Sequence, residues 1–398
     1  MSIMKAPFKK IRGSITAPLG FRAAGIAAGI KPNGKEDLAL IVSDRPATVA
    51  ATFTTNQVKA APVKLDMQHV RGGKARAIVA NSGNANACTG NVGMIHARAM
   101  AVAVARRLGC ADNHVLVCST GRIGTPLPIV KVEAGIKELL KKITRQGAHD
   151  AARAILTTDT FAKEVAVKIA AGARAVSIGG IAKGAGMIHP RMATMLSFIT
   201  TDAAVPRAAL QRALTEAVGQ SFNRVSVDGD TSTNDTVILL ANGAAAAPPT
   251  KEFQEALNFV CLELAKMIVR DGEGVSKFVT VNVRGAASDR NAEIAARSVA
   301  NSVLVKTSWY GGDPNWGRIM DALGYSRARV REEWVDIAYD GVPAVRRGMP
   351  ARTSLAKLKK IVRQPTFTID VHLHLGHGQC TMHTCDLTEK YVELNKGE

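Results

Sequence analysis

The most informative stretch of this sequence is Ile181-Ala-Lys-Gly-Ala-Gly-Met-Ile-His-Pro-Arg-Met-Ala-Thr-Met-Leu196. It begins with a glycine-containing turn around Lys183 and ends with Ala193-Thr194, just before an apolar strand predicted over Met195–Thr200. A threonine at the first position of a buried strand can simply reflect the β-propensity of a branched side chain. The alternative is that Thr194 is a nucleophile, and this stretch alone allows both interpretations.

The nucleophile interpretation gives Thr194 a defined chemistry. Its hydroxyl would attack the carbonyl of Ala193, an N-to-O acyl shift would follow, and water would cleave the ester. The new α-amine, with an ordinary pKa of ~7.7–8.0, could then be the base that activates the hydroxyl of the same residue. An oxyanion hole is also needed, and Cys118-Ser-Thr-Gly-Arg-Ile-Gly124 offers Thr120 and Gly121 at the tip of a turn. An ordinary turn at the exit of a strand is the alternative for that segment.

The composition is that of a globular protein. The chain has 398 residues, 46% hydrophobic and only 4% aromatic, so we expect a core of Ala, Val, Ile and Leu. Its net charge of +19 would suit nucleic acid, but the basic residues are scattered and no zinc-finger or RNP-type motif accompanies them. We therefore expect no nucleic-acid partner, and a positive field that attracts anionic small molecules. A non-enzymatic, nucleic-acid-binding protein remains the hypothesis of a different class.

The sequence shows no recognisable targeting signal, so we expect a cytoplasmic protein without a membrane partner. Residues 1–20 lack the apolar region of a signal peptide. No apolar run is long enough to cross a bilayer. The six cysteines are too dispersed for a disulfide framework in a chain of this length.

Two segments resemble metal sites superficially. Asp228–Asp235 is rich in oxygen ligands but lacks the spacing of a calcium loop, so we interpret it as a structured turn. Gly376–Gly378 is interpreted as a hairpin turn. Around it lie possible zinc ligands whose spacing matches no recognised zinc pattern, namely His372, His374, His377, Cys380, His383 and Cys385. We therefore expect no metal site.

Strand-like and helix-like stretches alternate along the chain, without the regular spacing of a nucleotide-binding βαβ fold. The predicted strands are Leu38–Val42, Val49–Thr54, Ala77–Ala80, Val115–Val117, Val165–Ala170, Met195–Thr200, Val225–Val227, Val237–Ala241, Phe278–Val283, Val335–Tyr339 and Phe367–Leu375. The predicted helices are Met94–Leu108, Pro128–Ile143, Ala208–Phe222 and Phe253–Val269. This order predicts an α/β fold in which mixed, layered sheets pack against helices.

Several unrelated motifs in one order give the chain a resemblance to a known family. They are Thr16–Ile26, Asn81–Gly90, Cys118–Gly121, Thr157–Phe161, Lys183–Leu196, Val227–Asp235, Asp271–Gly274, Lys306–Thr307 and Asp313–Arg318. With them the chain resembles, over nearly its whole length, the glutamate N-acetyltransferase / ornithine acetyltransferase family of arginine biosynthesis. The resemblance implies an ornithine acetyltransferase-like fold, autocleaved into an α chain, 1–193, and a β chain, 194–398. The two chains would fold together as one α/β unit and pair into an α2β2 heterotetramer.

The resemblance also implies roles for single residues. Thr194 matches the acetylated nucleophile, and the bond between Ala193 and Thr194 matches the cleavage site. Thr120 and Gly121 match the oxyanion pair. The matched substrate-binding positions are Thr157, Lys183, Thr194, Glu273 and Asn395.

The reaction implied by the resemblance is ping-pong. Acetylornithine acetylates Thr194, ornithine leaves, and glutamate then takes the acetyl group to give N-acetylglutamate. Lys183 suits a substrate carboxylate and Glu273 suits an ammonium group. No metal or organic cofactor is expected, and use of acetyl-CoA as a further co-substrate stays open. The alternative is an amidase or aminopeptidase with the same self-cleaving nucleophile.

Two positions depart from the family pattern. The chain ends at Asn395-Lys-Gly-Glu398, where family members continue to a further Ser or Thr that contacts substrate, so we expect that contact to be missing or replaced. Arg191 stands three residues before the nucleophile, where a small polar residue, usually Asn, is expected. A cation there adds to the positive field and could alter the cleavage rate or the fit of the substrate.

Overall fold

The computed structural model describes residues 7–170, 175–189 and 195–396, and these divide into two compact units. The first unit contains the described residues up to 184, with 195–223 and 231–268. The second unit contains 185–189, 224–230 and 269–396. Each unit is built on its own mixed β-sheet. The predicted α/β class, with mixed sheets packed against helices, is therefore confirmed.

The first unit is built on a nine-stranded sheet. Its strands are β1 (Phe8–Lys10), β2 (Phe21–Ile26), β3 (Leu38–Phe53), β4 (Lys74–Asn84), β5 (Val115–Arg122), β6 (Lys163–Ile169), β7 (Val176–Lys183), β8 (Leu196–Thr201) and β9 (Thr236–Ala241). Its helices are α1 (Ala61–His69), α2 (Gly90–Leu108), α3 (Ile129–Lys142), α4 (Ala148–Ala154), α5 (Arg207–Gln220) and most of α6 (Thr250–Arg270). The strand order is β1-β6-β7-β8-β9-β3-β4-β5, and β2 also pairs with β3. Neighbours run antiparallel except in the pairs β8–β9 and β4–β5.

Both faces of this sheet are buried, and alternate residues of its strands supply the two cores. Ile41 and Leu116 belong to the core that includes α4. Leu40 and Val117 belong to the core on the other side, with α2 and α3. Each such side chain contributes about 1.5–3 kcal/mol when fully buried. The strands therefore show nearly continuous apolar runs rather than a strict alternation of polar and apolar residues.

The second unit is built on a six-stranded sheet of order β13-β12-β11-β14-β10-β15. Its strands are β10 (Phe278–Ala286), β11 (Asp336–Tyr339), β12 (Val342–Arg346), β13 (Met349–Pro350), β14 (Thr366–His372) and β15 (Gly378–Cys385). Its helices are α7 (Asp289–Asn301), α8 (Val303–Tyr310), α9 (Trp316–Gly324), α10 (Leu355–Val362) and α11 (Glu389–Asn395). The short 3-10 helices of the chain are Ser14–Thr16, Val70–Gly72, Asp112–His114, Phe222–Arg224 and Glu332–Trp334.

Most predicted strands and helices overlap observed ones, but three predictions are wrong. Leu38–Val42 and Val49–Thr54 are not separate strands, because β3 continues across both with a shift in its register against β4. Val225–Val227 forms no strand, only an isolated bridge from Val225 to β15. Gly376–Gly378 is not a hairpin turn, since β14 and β15 pair with opposite sides of β10 and not with each other.

The segment between β7 and β8 contains the predicted cleavage position. These two strands are antiparallel neighbours in the first sheet, with Lys183 opposite Leu196. β8 and β9 come from residues after 194, and they lie between β7 and β3, which come from residues before 193. The middle of the sheet therefore consists of two strands from after the predicted cut, flanked on both sides by strands from before it.

Candidate active site

The two oxyanion candidates, Thr120 and Gly121, lie within β5 near its end, not at the tip of a turn as the sequence predicted. Thr120 is buried, and Gly121 pairs in register with Gly83 of β4. Gly121 has a φ of 130°, which strains any other residue. A Cβ at Gly121 would lie 2.3 Å from the carbonyl carbon of Gly83. The close approach of the two strands therefore requires glycine at this position.

Asparagine side chains hold the ends of β4 and β5 in this arrangement. Asn234 donates to the carbonyls of Ala85 and Ser119, at 2.7 and 2.8 Å. The hydroxyl of Ser119 donates to Asn81 Oδ1 at 2.6 Å, and Asn81 donates to the Asn84 carbonyl at 2.8 Å. The three side chains that make these bonds, those of Asn234, Ser119 and Asn81, are buried. Buried amides that satisfy backbone carbonyls fix the strand ends, because breaking any of these bonds leaves an unpaired polar group.

The buried carboxyl group of Asp66, on α1, supports β5. Asp66 Oδ1 accepts the N–H of Val117 at 2.8 Å, and the Cys118 thiol donates to Asp66 Oδ2 at 3.8 Å. Burial raises the pKa of Asp66 well above its ordinary value. Burial also raises the pKa of Cys118, with the Asp66 charge adding to the effect. Cys118 is therefore a buried thiol and lacks the environment of a nucleophile.

Thr157 and Lys183, two predicted substrate-binding residues, are brought together by the structure. Lys183 is the last residue of β7, not part of a turn, and its Nζ donates to Thr157 Oγ1 at 2.7 Å. The carboxylate of Asp159 lies 3.8 Å from Lys183 Nζ and accepts from Lys163 Nζ at 2.7 Å. Asp159 also accepts the backbone N–H groups of Thr157 and Gly184, at 2.9 and 2.6 Å. One buried carboxylate thus fixes both candidate residues.

The charges around Asp159 keep its carboxylate ionised. Burial acts to raise the pKa of Asp159, but the ammonium groups of Lys183 and Lys163 outweigh it and hold that pKa well below its ordinary value. The side chains of all three residues are buried. Two cations against one carboxylate leave an excess of positive charge, which favours an anionic ligand such as a carboxylate.

Asp235 lies beside the residue that follows the predicted nucleophile. Its Oδ1 accepts the N–H of Met195 at 2.8 Å, and the side chain is fully buried. Burial raises the pKa of Asp235 well above its ordinary value, although the bond from Met195 and the charge of Lys183 act to lower it. Ala193, Thr194 and Arg191 themselves lie outside the described residues.

The other two substrate-binding candidates, Glu273 and Asn395, meet in the second unit. Asn395 Nδ2 donates to Glu273 Oε2 at 2.8 Å and to the Tyr391 carbonyl at 2.9 Å. Glu273 N–H donates to the carbonyl of Ala185 at 3.0 Å. A Cβ at Gly186 would lie 2.7 Å from the Glu273 carboxylate, so the carboxylate rests directly on glycine backbone. The resemblance named this pair, and the structure shows them hydrogen-bonded to each other.

The segment Asp228–Asp235 is the structured turn that we predicted. Asp228 accepts the backbone N–H groups of Met187 and Ile188 at 2.6 and 2.8 Å, and that of Asp230 at 3.1 Å. These bonds fix the backbone on the N-terminal side of the predicted cleavage position. Burial raises the pKa of Asp228, although the three N–H groups act to lower it.

Sequence reasoning did not single out Asp159, Lys163 or Asp235 as functional residues. Asp159 lies inside the quoted Thr157–Phe161 motif, and Asp235 ends the quoted Val227–Asp235 motif. Asp159 stands alone among threonines and forms no periodic pattern that would mark it as functional. The signal that could have found Asp159 and Asp235 is that each lies inside a motif shared with the family. Within the described ranges, no group of three or more His, Cys, Asp or Glu side chains is placed to hold a metal ion.

No helix formed by the described residues is both long and apolar enough to span a membrane. All six cysteines are free thiols in the structure.

The sequence is similar to known proteins over nearly its whole length. A model of the ArgJ family matches residues 22–397. The arginine biosynthesis bifunctional protein ArgJ of Geobacter sulfurreducens is 50% identical over 384 residues, covering 94% of this chain and 98% of that protein. The protein of the same name from Symbiobacterium thermophilum is 48% identical over 394 residues, covering 97% and 98%.

Among solved structures, the chain is similar to that of ornithine acetyltransferase complexed with ornithine from Mycobacterium tuberculosis. Its aligned part is 44% identical and covers 46% of this chain and 98% of that chain, with a TM-score of 0.44. The family match and the curated relatives both extend over nearly the whole sequence. They agree with the resemblance inferred from the motifs. The chain therefore belongs to the ArgJ family.

Proposed function

We propose that this chain is an acetyltransferase of arginine biosynthesis that moves the acetyl group of N2-acetylornithine to glutamate. The products are ornithine and N-acetylglutamate. The observation that carries the proposal is the match to relatives named for arginine biosynthesis, at 48–50% identity over 94–97% of this chain. Similarity at this level, with no large part of either protein unmatched, favours a shared reaction.

The proposed chemistry uses Thr194 as a covalent nucleophile. Its hydroxyl attacks the acetyl carbonyl of acetylornithine, an acetyl-Thr194 ester forms, and the amine of ornithine leaves with the proton. The α-amine of glutamate then attacks the ester and restores the hydroxyl. Thr120 and Gly121 would stabilise the oxyanion of each step, and their fixed position on β5 supports this role.

The proposed binding groups match the charges of the substrates. Lys183, held by Asp159 and bonded to Thr157, supplies a buried cation for a substrate carboxylate. Glu273, bonded to Asn395, supplies an anion for an ammonium group. Charge-assisted hydrogen bonds of this kind are the strong ones where water is excluded.

We propose that the enzyme activates itself by cutting the bond between Ala193 and Thr194. The products are residues 1–193 and 194–398, and the proposed assembly is an α2β2 heterotetramer in the cytoplasm. The new α-amine of Thr194 becomes the base for its own hydroxyl. Asp235 accepts the N–H of Met195, the residue after Thr194, and so holds the start of the proposed second fragment, which supports the proposal.

A second activity belongs to the proposal because the curated relatives are named bifunctional. Acetylation of glutamate with acetyl-CoA as donor is the candidate, since it would use the same acetyl-Thr194 and the same acceptor. No metal or organic cofactor takes part in the proposed chemistry. An assay with each donor in turn separates the two activities.

The test is a denaturing mass spectrum combined with a transfer assay. The unmodified chain should give two fragments, one beginning at Thr194, and should form N-acetylglutamate from acetylornithine. Thr194→Ala should give one uncut, inactive chain, while Thr194→Ser keeps a hydroxyl and should retain part of both processes. Acetyl transfer by Thr194→Ala would contradict the mechanism, and hydrolysis of small amides without any transfer to glutamate would contradict the reaction.

A further inference from the structure

The loop between β2 and β3 is held in place by one buried carboxylate. Asp37 Oδ1 accepts the N–H of Ala28 at 2.6 Å. Its Oδ2 accepts the N–H groups of Ile30 and Lys31, at 2.6 and 2.9 Å. Asp37 has no exposed surface. Three backbone donors on one buried carboxylate make this a rigid loop, so the side chain of Lys31 starts from a fixed backbone position.

The side chain of Lys31 extends from this loop towards the candidate site residues of the first unit. A Cβ at Gly83 would lie 2.9 Å from Lys31 Cγ, so the lysine stem passes directly over that glycine. The Nζ donates to the carbonyls of Leu156 and Glu36, both at 2.7 Å. An ammonium group has three N–H donors. Within the described part of the chain these two carbonyls take two of them, which leaves one for a ligand.

The two contacts place Lys31 beside both parts of the site in this unit. Leu156 precedes Thr157, whose hydroxyl accepts from Lys183. Gly83 is the register partner of the oxyanion candidate Gly121. The Lys31 ammonium group therefore lies next to the residues that would bind substrate and along the strand pair that would stabilise the oxyanion.

The electrostatics agree with this placement. Burial lowers the pKa of Lys31 to about 8. Within this net effect, the charges of Lys183 and Lys35 act to lower the pKa of Lys31, whereas those of Asp37 and Asp159 act to raise it. A lysine with this pKa is mostly charged at neutral pH and gains from an anionic ligand that restores its ordinary value.

We propose that Lys31 binds the side-chain carboxylate of the acceptor glutamate. This inference rests on the proposed acetyl transfer and adds to it the group that distinguishes acceptor from donor. Glutamate carries two carboxylates, whereas acetylornithine carries one carboxylate and a side-chain ammonium group. Lys183 pairs with the carboxylate that both molecules share, and Lys31 pairs with the one that only glutamate has.

A lysine that only ties its loop to Leu156 would behave differently. Its loss would loosen the loop and weaken both half-reactions to a similar degree. A lysine that binds the second carboxylate affects the acceptor far more than the donor. It also affects glutamate far more than glutamine, which has the same shape without the charge. The comparison of these two acceptors therefore separates recognition from structural support.

The experiment compares Lys31→Met with the unmodified enzyme and with Lys35→Met, an exposed lysine of the same loop. Each protein is assayed for ornithine release from acetylornithine and for acetyl transfer to glutamate and to glutamine. We expect Lys31→Met to raise KM for glutamate about 10- to 100-fold, the range for a lost hydrogen bond to a charged group. The preference for glutamate over glutamine should fall by the same factor. Ornithine release should change much less, and Lys35→Met should match the unmodified enzyme.

Lys31→Arg keeps the charge and provides the second variant if Lys31→Met does not fold. It should keep a clear preference for glutamate over glutamine. The inference is overturned if either variant lowers donor and acceptor reactions equally, or if Lys31→Met keeps the full preference for glutamate. An unmodified enzyme that releases ornithine but never acetylates glutamate would instead contradict the proposed function, and the assignment of Lys31 would fall with it.

Discussion

Replacing Asp159 by Asn should destabilise the first unit and displace Lys183. The carboxylate accepts from Lys163 Nζ at 2.7 Å and from Gly184 N–H at 2.6 Å, and it lies 3.8 Å from Lys183 Nζ. An amide has nearly the same shape but no charge, so two buried ammonium groups lose their counter-charge. Removing one partner of a buried ion pair costs about 3–5 kcal/mol. That is a large part of a typical unfolding free energy of ~5–15 kcal/mol.

Thermal unfolding followed by circular dichroism measures this loss. A cost of this size corresponds to a fall in melting temperature of about 6–20 °C for a domain of about 150–250 residues. Tryptophan fluorescence gives an internal comparison, because all three tryptophans, Trp309, Trp316 and Trp334, belong to the second unit. The circular dichroism transition should therefore shift more than the fluorescence transition.

Two further variants make the test specific. Asp112→Asn changes an exposed carboxylate and should stay within about 0.5 kcal/mol of the unmodified chain. Asp159→Asn combined with Lys163→Met removes one ammonium group together with the carboxylate, and should recover at least about 1 kcal/mol relative to Asp159→Asn alone. The reasoning is refuted if Asp159→Asn melts within about 2 °C of the unmodified protein and keeps the same KM for acetylornithine.

Two other variants test the strand β5. Gly121→Ala places a Cβ 2.3 Å from the backbone of Gly83 at a φ of 130°; we expect a loss of about 2–5 kcal/mol in unfolding free energy and a drop in acetyl transfer of about 100-fold or more. Gly219→Ala, inside α5, is the control, because a Cβ there meets no atom of another element within 4 Å; it should keep acetyl transfer unchanged and should not lower the unfolding free energy, since alanine favours a helix by about 0.5–1 kcal/mol over glycine. Burial raises the pKa of Asp66 in the folded protein well above its ordinary value of 3.8. The protonated carboxyl therefore contributes its full share to the unfolding free energy below pH 3.8, and this contribution is lost as the pH rises through the pKa of the folded state. Asp66→Asn removes that dependence, and urea unfolding between about pH 5 and about pH 8 should show a smaller fall in stability for the variant; an equal fall in both proteins would contradict it.

Local pattern was sufficient for the strands and helices with strong apolar periodicity. The predicted strand Ala77–Ala80 lies within β4, and the predicted helix Phe253–Val269 lies within α6. Most of the apolar residues of both predicted segments are buried, for example Ile78 in β4 and Leu257 in α6. These segments bury enough apolar area that tertiary contacts reinforce the local preference.

Helices and strands without a strong contrast between apolar and polar residues were not predicted, or were predicted with the wrong bounds. α7 was not predicted, because its buried face is largely alanine, for example Ala292, Ala295 and Ala296, which gives little hydrophobic contrast. β3 was divided in two because Asp44–Pro46 is exposed and contains proline, features typical of a turn. The strand continues through this segment because its two halves pair with different partners, and such pairing depends on distant residues.

The candidate site likewise contains residues that the sequence identified and residues whose role depends on contacts with distant parts of the chain. Thr157 and Lys183 followed from the resemblance, and the structure joins them by a hydrogen bond. Asp159, which holds both, gave no separate signal, because a buried carboxylate is recognisable only when the cations around it are in place. Lys31 likewise belongs to a loop far from Lys183 in sequence and approaches Leu156 only in the folded chain.

The order of strands in the first sheet has a consequence for how the protein folds. β8 and β9 are inserted between β7 and β3, so the fragment from 194 onwards supplies two inner strands to a sheet whose outer strands come from the other fragment. If the chain cuts itself as proposed, we expect the cut to follow folding, because a fragment released earlier would have to insert two strands into the middle of the sheet. Genes for the two halves, expressed separately, should give poorly folded products, whereas a chain cut after folding should stay assembled until it is denatured.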